Sequence, residues 1–289
     1  MKALVTGSTG FLGSMVCQMG RSAGHGVVGA CRSGGDDQTI TTDLSVAGTG
    51  EELVESVDPE VVIHLAAIAD IRPCEENPQM ARLLNEKTAG ELARVCSERG
   101  IRLLHCSTDQ VFDGSRGGWS EKDEPRPLHC YGETKRAGEK AVMDANPDAV
   151  IVRPGLITGL APPGRRSSSS SLLESLHAGR SPTMFTDELR SPVAAVDVAR
   201  VFWDMATGEK VAGIFHCGGP EPMSRFDLAV REAEAAGFSR EAITPVLQGD
   251  VGFDGTRPKD LTLESDRLRE WLGWTPRALV SGEAGSEIQ

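Results

Sequence analysis

The sequence predicts an α/β chain built on a doubly wound parallel sheet, and three observations carry that prediction. Short β-branched runs alternate with longer stretches of helical period through the first half of the chain, the pattern of successive strand–helix–strand units. Several of those runs, "VVIHLA" (61–66) above all, are apolar without alternation, as strands covered on both faces must be. The first run passes directly into three glycines spaced three apart, in "VTGSTGFLG" (5–13), and then into an amphipathic segment.

Taken in order, "ALVTG" reads as the first strand and 11–23 as a helix whose apolar face carries Phe11, Leu12, Met15, Val16 and Met19. "GVVGACR" and "TITTDL" are the next strands, followed by a helix over 47–57. "VVIHLAA" is the fourth strand and precedes one long helix over 75–99. "RLLHCST", a helix over 131–146 and "AVIVRPG" complete the alternation. After Pro154 the rhythm weakens, Pro and Gly increase, and "RRSSSSS" (165–171) marks a polar loop. The expected organisation is a Rossmann nucleotide domain over 1–155, with segments near 190–217 returning to it, and a small mixed C-terminal substrate lobe over most of 156–289.

Composition narrows the partners. At 39% apolar and 25% charged the 289 residues are those of an ordinary globular protein, and no apolar run nears the roughly 18 residues a membrane span needs. Met1 and Lys2 lead straight into the first strand with no room for a signal peptide, so the expected location is cytoplasmic. Seven cysteines without a C-x-x-C pair, among them Cys31, Cys96, Cys106 and Cys217 in or beside apolar stretches, fit reduced thiols, with neither a disulfide framework nor a metal expected. A net charge of −12 repels nucleic acid and anionic lipid at long range. An anionic ligand must therefore meet a local basic cluster.

A strand, a glycine turn and a helix N-terminus together offer what a pyrophosphate needs: close backbone approach, free N–H groups and the positive end of a helix dipole. Gly7, Thr9, Gly10, Phe11, Leu12 and Gly13 stand at such a junction, although three glycines alone serve equally as a tight turn. The end of the second strand bears on the choice of dinucleotide, because an acid there holds the ribose 2'-hydroxyl of NAD. Cys31, Arg32 and Ser33 occupy that place, and a cation with a hydroxyl favours NADPH over NADH. A solvated Arg32 is the alternative, with Asp36 and Asp37 nearby. Asp43 and Leu44 stand where an adenine-contacting pair would lie, or where an aspartate caps a helix.

"YGETK" (131–135) places Tyr131 and Lys135 four apart, so that on a helix both face one cleft. A phenol with a pKa near 10 exchanges protons poorly at neutral pH unless a neighbouring ammonium favours the phenolate. Tyr131 is the only tyrosine in the chain, and core packing is its other reading. His64 and His105 fall within apolar strands and read as core.

With "HLAA", "STDQVFDG" (107–114), "YGETKRAGEKAV", "RPG", "RSPVAAVDVA" and "RPKDLTLES" following the glycine turn in order, nearly the whole chain resembles the extended short-chain dehydrogenase/reductases, and within them the dTDP-4-dehydrorhamnose reductase family. The resemblance implies that Tyr131 passes a proton to a substrate carbonyl oxygen, that Lys135 also binds the nicotinamide ribose, and that Thr108 holds the same carbonyl, with Ser107 a close second. It implies that Asn85 keeps a helix open for a proton-relay water and that Ala66 and Ala67 border the cofactor.

Sugar-nucleotide dehydratases of this superfamily carry a Thr-Asp-Glu triplet where this chain has Thr108, Asp109 and Gln110. An amide cannot act as the base of an elimination, so reduction is preferred. Rhamnose-pathway reductases usually carry an aromatic residue at the Gln110 position, a departure that opens the identity of the sugar. Asp109, Gln110 and Arg190 are expected on the substrate side, Arg190 toward a pyrophosphate. Arg165 and Arg166 read as a solvated loop, and Arg257 either as a further phosphate contact or as a pair with Asp260.

The implied activity is NADPH-dependent reduction of a nucleotide-linked keto sugar, with a homodimer among the assemblies the sequence allows. Two alternatives remain open at this point: a non-catalytic NADP-binding subunit resembling the regulatory subunit of methionine adenosyltransferase, and a ketoreductase of a secondary metabolite.

Overall fold

The computed structural model describes residues 1–253 and 255–277; Asp254 and residues 278–289, the end of the expected C-terminal lobe, lie outside the described residues. The chain opens as β1 (Lys2–Thr6), α1 (Phe11–Ser22), β2 (Gly26–Cys31), β3 (Thr39–Thr41), α2 (Thr49–Val57) and β4 (Val61–His64). It continues through α3 (Ile71–Glu76), α4 (Pro78–Arg82), a π-helical turn (Leu83–Lys87), α5 (Thr88–Arg99), β5 (Arg102–Cys106), α6 (Cys130–Ala145) and β6 (Val150–Pro154). Beyond Pro154 come β7 (Ile157–Thr158), α7 (Ser168–His177), β8 (Thr183–Phe185), β9 (Leu189–Arg190), β10 (Val193–Ala194), α8 (Ala195–Thr207) and β11 (Gly213–Cys217). The last described elements are β12 (Met223–Ser224), α9 (Arg225–Ala235), β13 (Thr244–Val246), β14 (Asp260–Leu261) and α10 (Asp266–Leu272).

Seven strands form one parallel sheet in the order β11-β6-β5-β4-β1-β2-β3. The absence of alternation in the strands has its reason here, because each face of the sheet is covered. Ala3, Val5, Ile63, Leu104 and Val152 pack with Val16, Val198 and Phe202 of α1 and α8. Leu4, Val62, Leu103 and Ile151 pack on the opposite face with Leu53 of α2 and Leu92 and Cys96 of α5. Small sheets, β12-β9-β14, β10-β7 and β13-β8, lie outside the large one, and Leu172 and Leu176 of α7 pack with Phe226 and Val230 of α9 in a separate cluster. Among the described residues no helix is long and apolar enough to cross a membrane.

The long helix expected over 75–99 is a correction: the structure breaks it. Pro78 lacks the N–H that a continuing helix needs, and Asn77 caps the new start by accepting a hydrogen bond from Met80 N at 3.1 Å. Five residues later the backbone widens into the π turn. The fourth strand also stops earlier than expected, at His64, because the Thr6 hydroxyl accepts hydrogen bonds from Leu65 N and Ala66 N, both at 3.2 Å, and draws the chain out of the ladder.

Helix α6 approaches the π turn so closely that a β-carbon on Gly138 would lie 2.1 Å from the Asn85 carbonyl oxygen. Gly138→Ala is therefore expected to destabilise the fold by about 1–3 kcal/mol through overpacking. Urea unfolding followed by tryptophan fluorescence measures this, and an unchanged midpoint would show that the two segments have room to part.

Candidate active site

A cleft of about 1060 Å³ runs along the carboxyl ends of the strands, across the point between β1 and β4 where the strand order reverses. Gly7, Thr9, Gly10, Phe11, Leu12 and Gly13 line it where β1 turns into α1. A β-carbon on Gly13 would sit 2.1 Å from the Gly7 carbonyl oxygen, so only glycine lets the loop close this tightly at the helix N-terminus. Arg32 and Ser33 border the cleft after β2, as do Asp43 and Leu44 after β3 and Ala66 and Ala67 after β4. Arg21 engages Asp36 at 2.5 Å, and among the described residues no ion pair holds Arg32. Asp43 faces the cleft, and its carboxylate accepts from Ser45 N at 2.9 Å in the turn before α2, whose N-cap is Gly48, so Asp43 does not cap the helix.

At the other end Ser107, Thr108, Asp109, Gln110, Tyr131 and Lys135 come together. Tyr131, Lys135 and Glu139 lie four apart on α6 and form one buried stripe. Burial pushes the Tyr131 phenol above its ordinary pKa, and a hydrogen bond with the Thr108 hydroxyl draws it partly back. Tyr131 therefore holds its proton at neutral pH. Burial lowers the Lys135 ammonium, whose Nζ donates to the Cys106 carbonyl at 2.7 Å.

Ser107 is bound differently from Thr108. Its Oγ donates to Glu139 Oε1 at 2.5 Å, and Glu139 is held in turn by Arg153 through Nε and Nη2, each at 2.7 Å, with both side chains almost fully buried. The Ser107 proton is spent inside the protein. Thr108 caps the short turn after β5 by accepting from Gln110 N at 3.2 Å, and its own hydroxyl is shared between Asp109 Oδ1, to which it donates at 3.3 Å, and the Tyr131 phenol. Gln110 Oε1 accepts from His129 Nε2 at 3.0 Å, while His129 Nδ1 accepts from Gly132 N and caps α6.

Two expected site residues do not line the cleft. Arg190 is buried, paired with Glu188 at 2.7 Å, and donates to the carbonyls of Leu189, Pro258 and Lys259, so its donors are engaged before any ligand arrives. Asn85 is buried in the π turn, where Oδ1 accepts from Ile68 N at 2.9 Å and Nδ2 donates to Ile68 O at 3.1 Å and Thr134 Oγ1 at 3.0 Å. It clamps the segment that carries Ala66 and Ala67. Conversely, Arg166 and Arg257 both line the cleft, and Arg257 pairs with Glu188 at 3.1 Å rather than with Asp260. Sequence position gave no sign of this, because Glu188 lies far from Arg257 along the chain.

Burial raises the Asp109 carboxyl to about 6 against the pull of Arg190, and its Oδ2 has no protein partner among the described residues. A Rossmann cleft with a protonated phenol beside a threonine hydroxyl is the apparatus of an NAD(P)-dependent oxidoreductase of the extended short-chain dehydrogenase/reductase class. More narrowly, the chain belongs to the RmlD substrate binding domain family, which it matches over residues 1–282.

A probable low-salt glycan biosynthesis reductase, Agl14, of Haloferax volcanii is 33% identical over 300 residues, spanning 99% of this chain and 97% of that protein. Methionine adenosyltransferase 2 subunit beta of Rattus norvegicus is 29% identical over 277 residues, spanning 94% and 82% of the two chains. A solved dTDP-4-dehydrorhamnose reductase of Clostridium acetobutylicum superposes with a TM-score of 0.84 at 27% identity, over 96% of this chain and 95% of that one.

The raised Asp109 value has a consequence for stability. The folded protein binds a proton between about pH 4 and 6 that the unfolded chain, with an ordinary value near 3.9, has already lost. Stability from this group therefore falls as pH rises through that window, and above it Asp109 is a net cost. Asp109→Asn is expected to stabilise the protein by about 1–3 kcal/mol at pH 7, with the gain shrinking toward pH 5. Urea midpoints at the two pH values measure it, and a gain independent of pH would remove ionisation from the explanation.

Proposed function

We propose that this protein reduces the ketone of a nucleotide-linked sugar with NADPH. The observation that carries the reading is the pairing of Tyr131, protonated at neutral pH, with the Thr108 hydroxyl at the inner end of a nucleotide-sized cleft. The glycine loop fits a pyrophosphate, Arg32 and Ser33 fit a 2'-phosphate, and Lys135 fits the nicotinamide ribose. When bound, the reduced nicotinamide supplies the hydride. The chain's own part is to hold the carbonyl oxygen with Thr108 and Tyr131 and to pass it the phenolic proton as negative charge develops there.

Arg166 and Arg257, on the cleft wall of a chain with net charge −12, fit the phosphates of a nucleotide sugar. Gln110, fixed by His129, offers an amide in place of a base, which favours reduction over elimination. The Agl14 relative carries the name of a glycan biosynthesis reductase, and the solved Clostridium acetobutylicum neighbour that of a dTDP-sugar reductase; both names favour a keto sugar as the substrate class here.

Arg32→Ala should weaken NADPH by roughly 10- to 100-fold and leave NADH almost unchanged, since a charge-assisted phosphate contact contributes about 1.5–3 kcal/mol. Fluorescence titration with both nucleotides tests this, and an unchanged preference would return Arg32 to the role of a loop residue.

Tyr131→Phe keeps the ring but not the proton. NADPH binding should persist while single-turnover reduction of a 4-keto-6-deoxy sugar nucleotide falls by roughly 10²- to 10⁴-fold. Stopped-flow loss of NADPH absorbance isolates the chemical step. Equal rates in the two proteins would remove Tyr131 from the mechanism, and a wild type inert toward every keto-sugar nucleotide would favour a binding subunit like the methionine adenosyltransferase relative.

A further inference from the structure

The parallel register of β4 and β5 sets His64 beside His105, with ring centroids 5.2 Å apart, both buried on the face covered by α5 and α6. The hydrogen bonds around them determine which nitrogen of each carries the proton. Thr6 Oγ1 accepts from Leu65 N and Ala66 N, so its own proton goes to His64 Nδ1 at 2.7 Å, and His64 is protonated on Nε2. His105 Nε2 faces Lys135 Nζ at 3.4 Å and must accept, so His105 is protonated on Nδ1. Both remaining N–H groups are buried without a protein partner among the described residues. Burial, with the Lys135 charge adding to it, holds both rings neutral.

This pair is costly to keep in a strand interior where two leucines would pack without an unmet donor. What the arrangement provides is an acceptor under Lys135. The ammonium has three protons: one goes to the Cys106 carbonyl at 2.7 Å and a second to His105. The third is left for the cleft that Lys135 lines.

We propose that His105 is a positioning residue, a neutral acceptor on β5 that fixes the Lys135 ammonium so that its remaining N–H faces the nucleotide cleft. The inference rests on the reading that Lys135 binds the nicotinamide ribose. Through Thr6 the same polar row continues to the Leu65–Ala66 backbone, so one line of buried contacts joins the cofactor wall to the active-site lysine. The other groups facing Lys135 are Cys106 on β5, Glu139 on α6, Cys74 on α3 and His64 on β4.

Two variants separate positioning from packing. In His105→Asn the amide stops near the Nδ1 position and cannot reach Lys135; in His105→Gln it reaches the Nε2 position and can. NADPH dissociation constants from fluorescence titration need no turnover, and His105→Asn should bind NADPH roughly tenfold more weakly, with His105→Gln close to wild type. In a Lys135→Met background His105→Asn should cost nothing further.

Equal affinities in Asn, Gln and wild type, or equal losses in Asn and Gln, overturn the proposal. So does an undiminished loss from His105→Asn in the Lys135→Met background. If Lys135→Met itself binds NADPH as tightly as wild type, the assignment of Lys135 to the ribose fails. If Lys135→Met weakens binding and His105→Asn does not, only the role of His105 fails.

Discussion

One buried carboxylate holds the site together. Glu139 receives Arg153 from β6 through two bonds, the Ser107 hydroxyl from the end of β5, and Arg136 of its own helix at 3.4 Å. Arg153 then reaches His216 of β11 at 3.3 Å and lies over the Phe112 ring, and His216 donates to the Trp119 carbonyl at 3.0 Å. Three segments meet at this one charge, and Arg153 carries the network on to Phe112 and to β11. Burying an ion pair is costly, and an apolar pair of equal volume would often be as stable. What apolar contact cannot supply is direction. Because Glu139 lies one turn beyond Lys135 and two beyond Tyr131, pinning its two oxygens fixes the rotation of α6 and hence the aim of both active-site side chains.

Unmet polar atoms are few among the described residues, and one of them, Asp109 Oδ2, belongs to a side chain that lines the cleft. His64 and His105 keep their unpartnered N–H groups behind it, inside the sheet, while the Glu139–Arg153 pair is hydrogen-bonded through both carboxylate oxygens. Rigid surroundings tolerate a few such costs, and ligand-binding sites are where proteins place them.

The sheet was legible because both of its faces are covered: that constraint writes uninterrupted apolar runs into the chain, and each run marks a strand. The glycine junction and the four-residue spacing of Tyr131 and Lys135 were legible for a similar reason, since each is a local geometric demand. The failures share the opposite property. Arg190 and Arg257 lie in comparable polar surroundings in sequence, and only the fold decides that Glu188 engages Arg190 fully while leaving Arg257 at the cleft wall. His105 looks like core because it is core; its ring edge meets Lys135 only once α6 lies across β5. The long helix over 75–99 has helical periodicity almost throughout, and nothing in its pattern distinguishes a turn of five residues from one of four.

That widened turn is a matter of phase. Leu83–Lys87 accommodates one residue more than an α-helix would, so the faces of α4 and α5 are offset by about 100° from a continuous helix. The offset turns Leu92, Ala93 and Cys96 toward the sheet while Asn85 still points at Ile68 and Thr134. Deleting any single residue of the turn would restore the ordinary winding and swing one set or the other out of place. The extra residue behaves like an insertion the chain can no longer discard: a lineage carrying it is free to change the side chains of α5 one by one, but not its length by one.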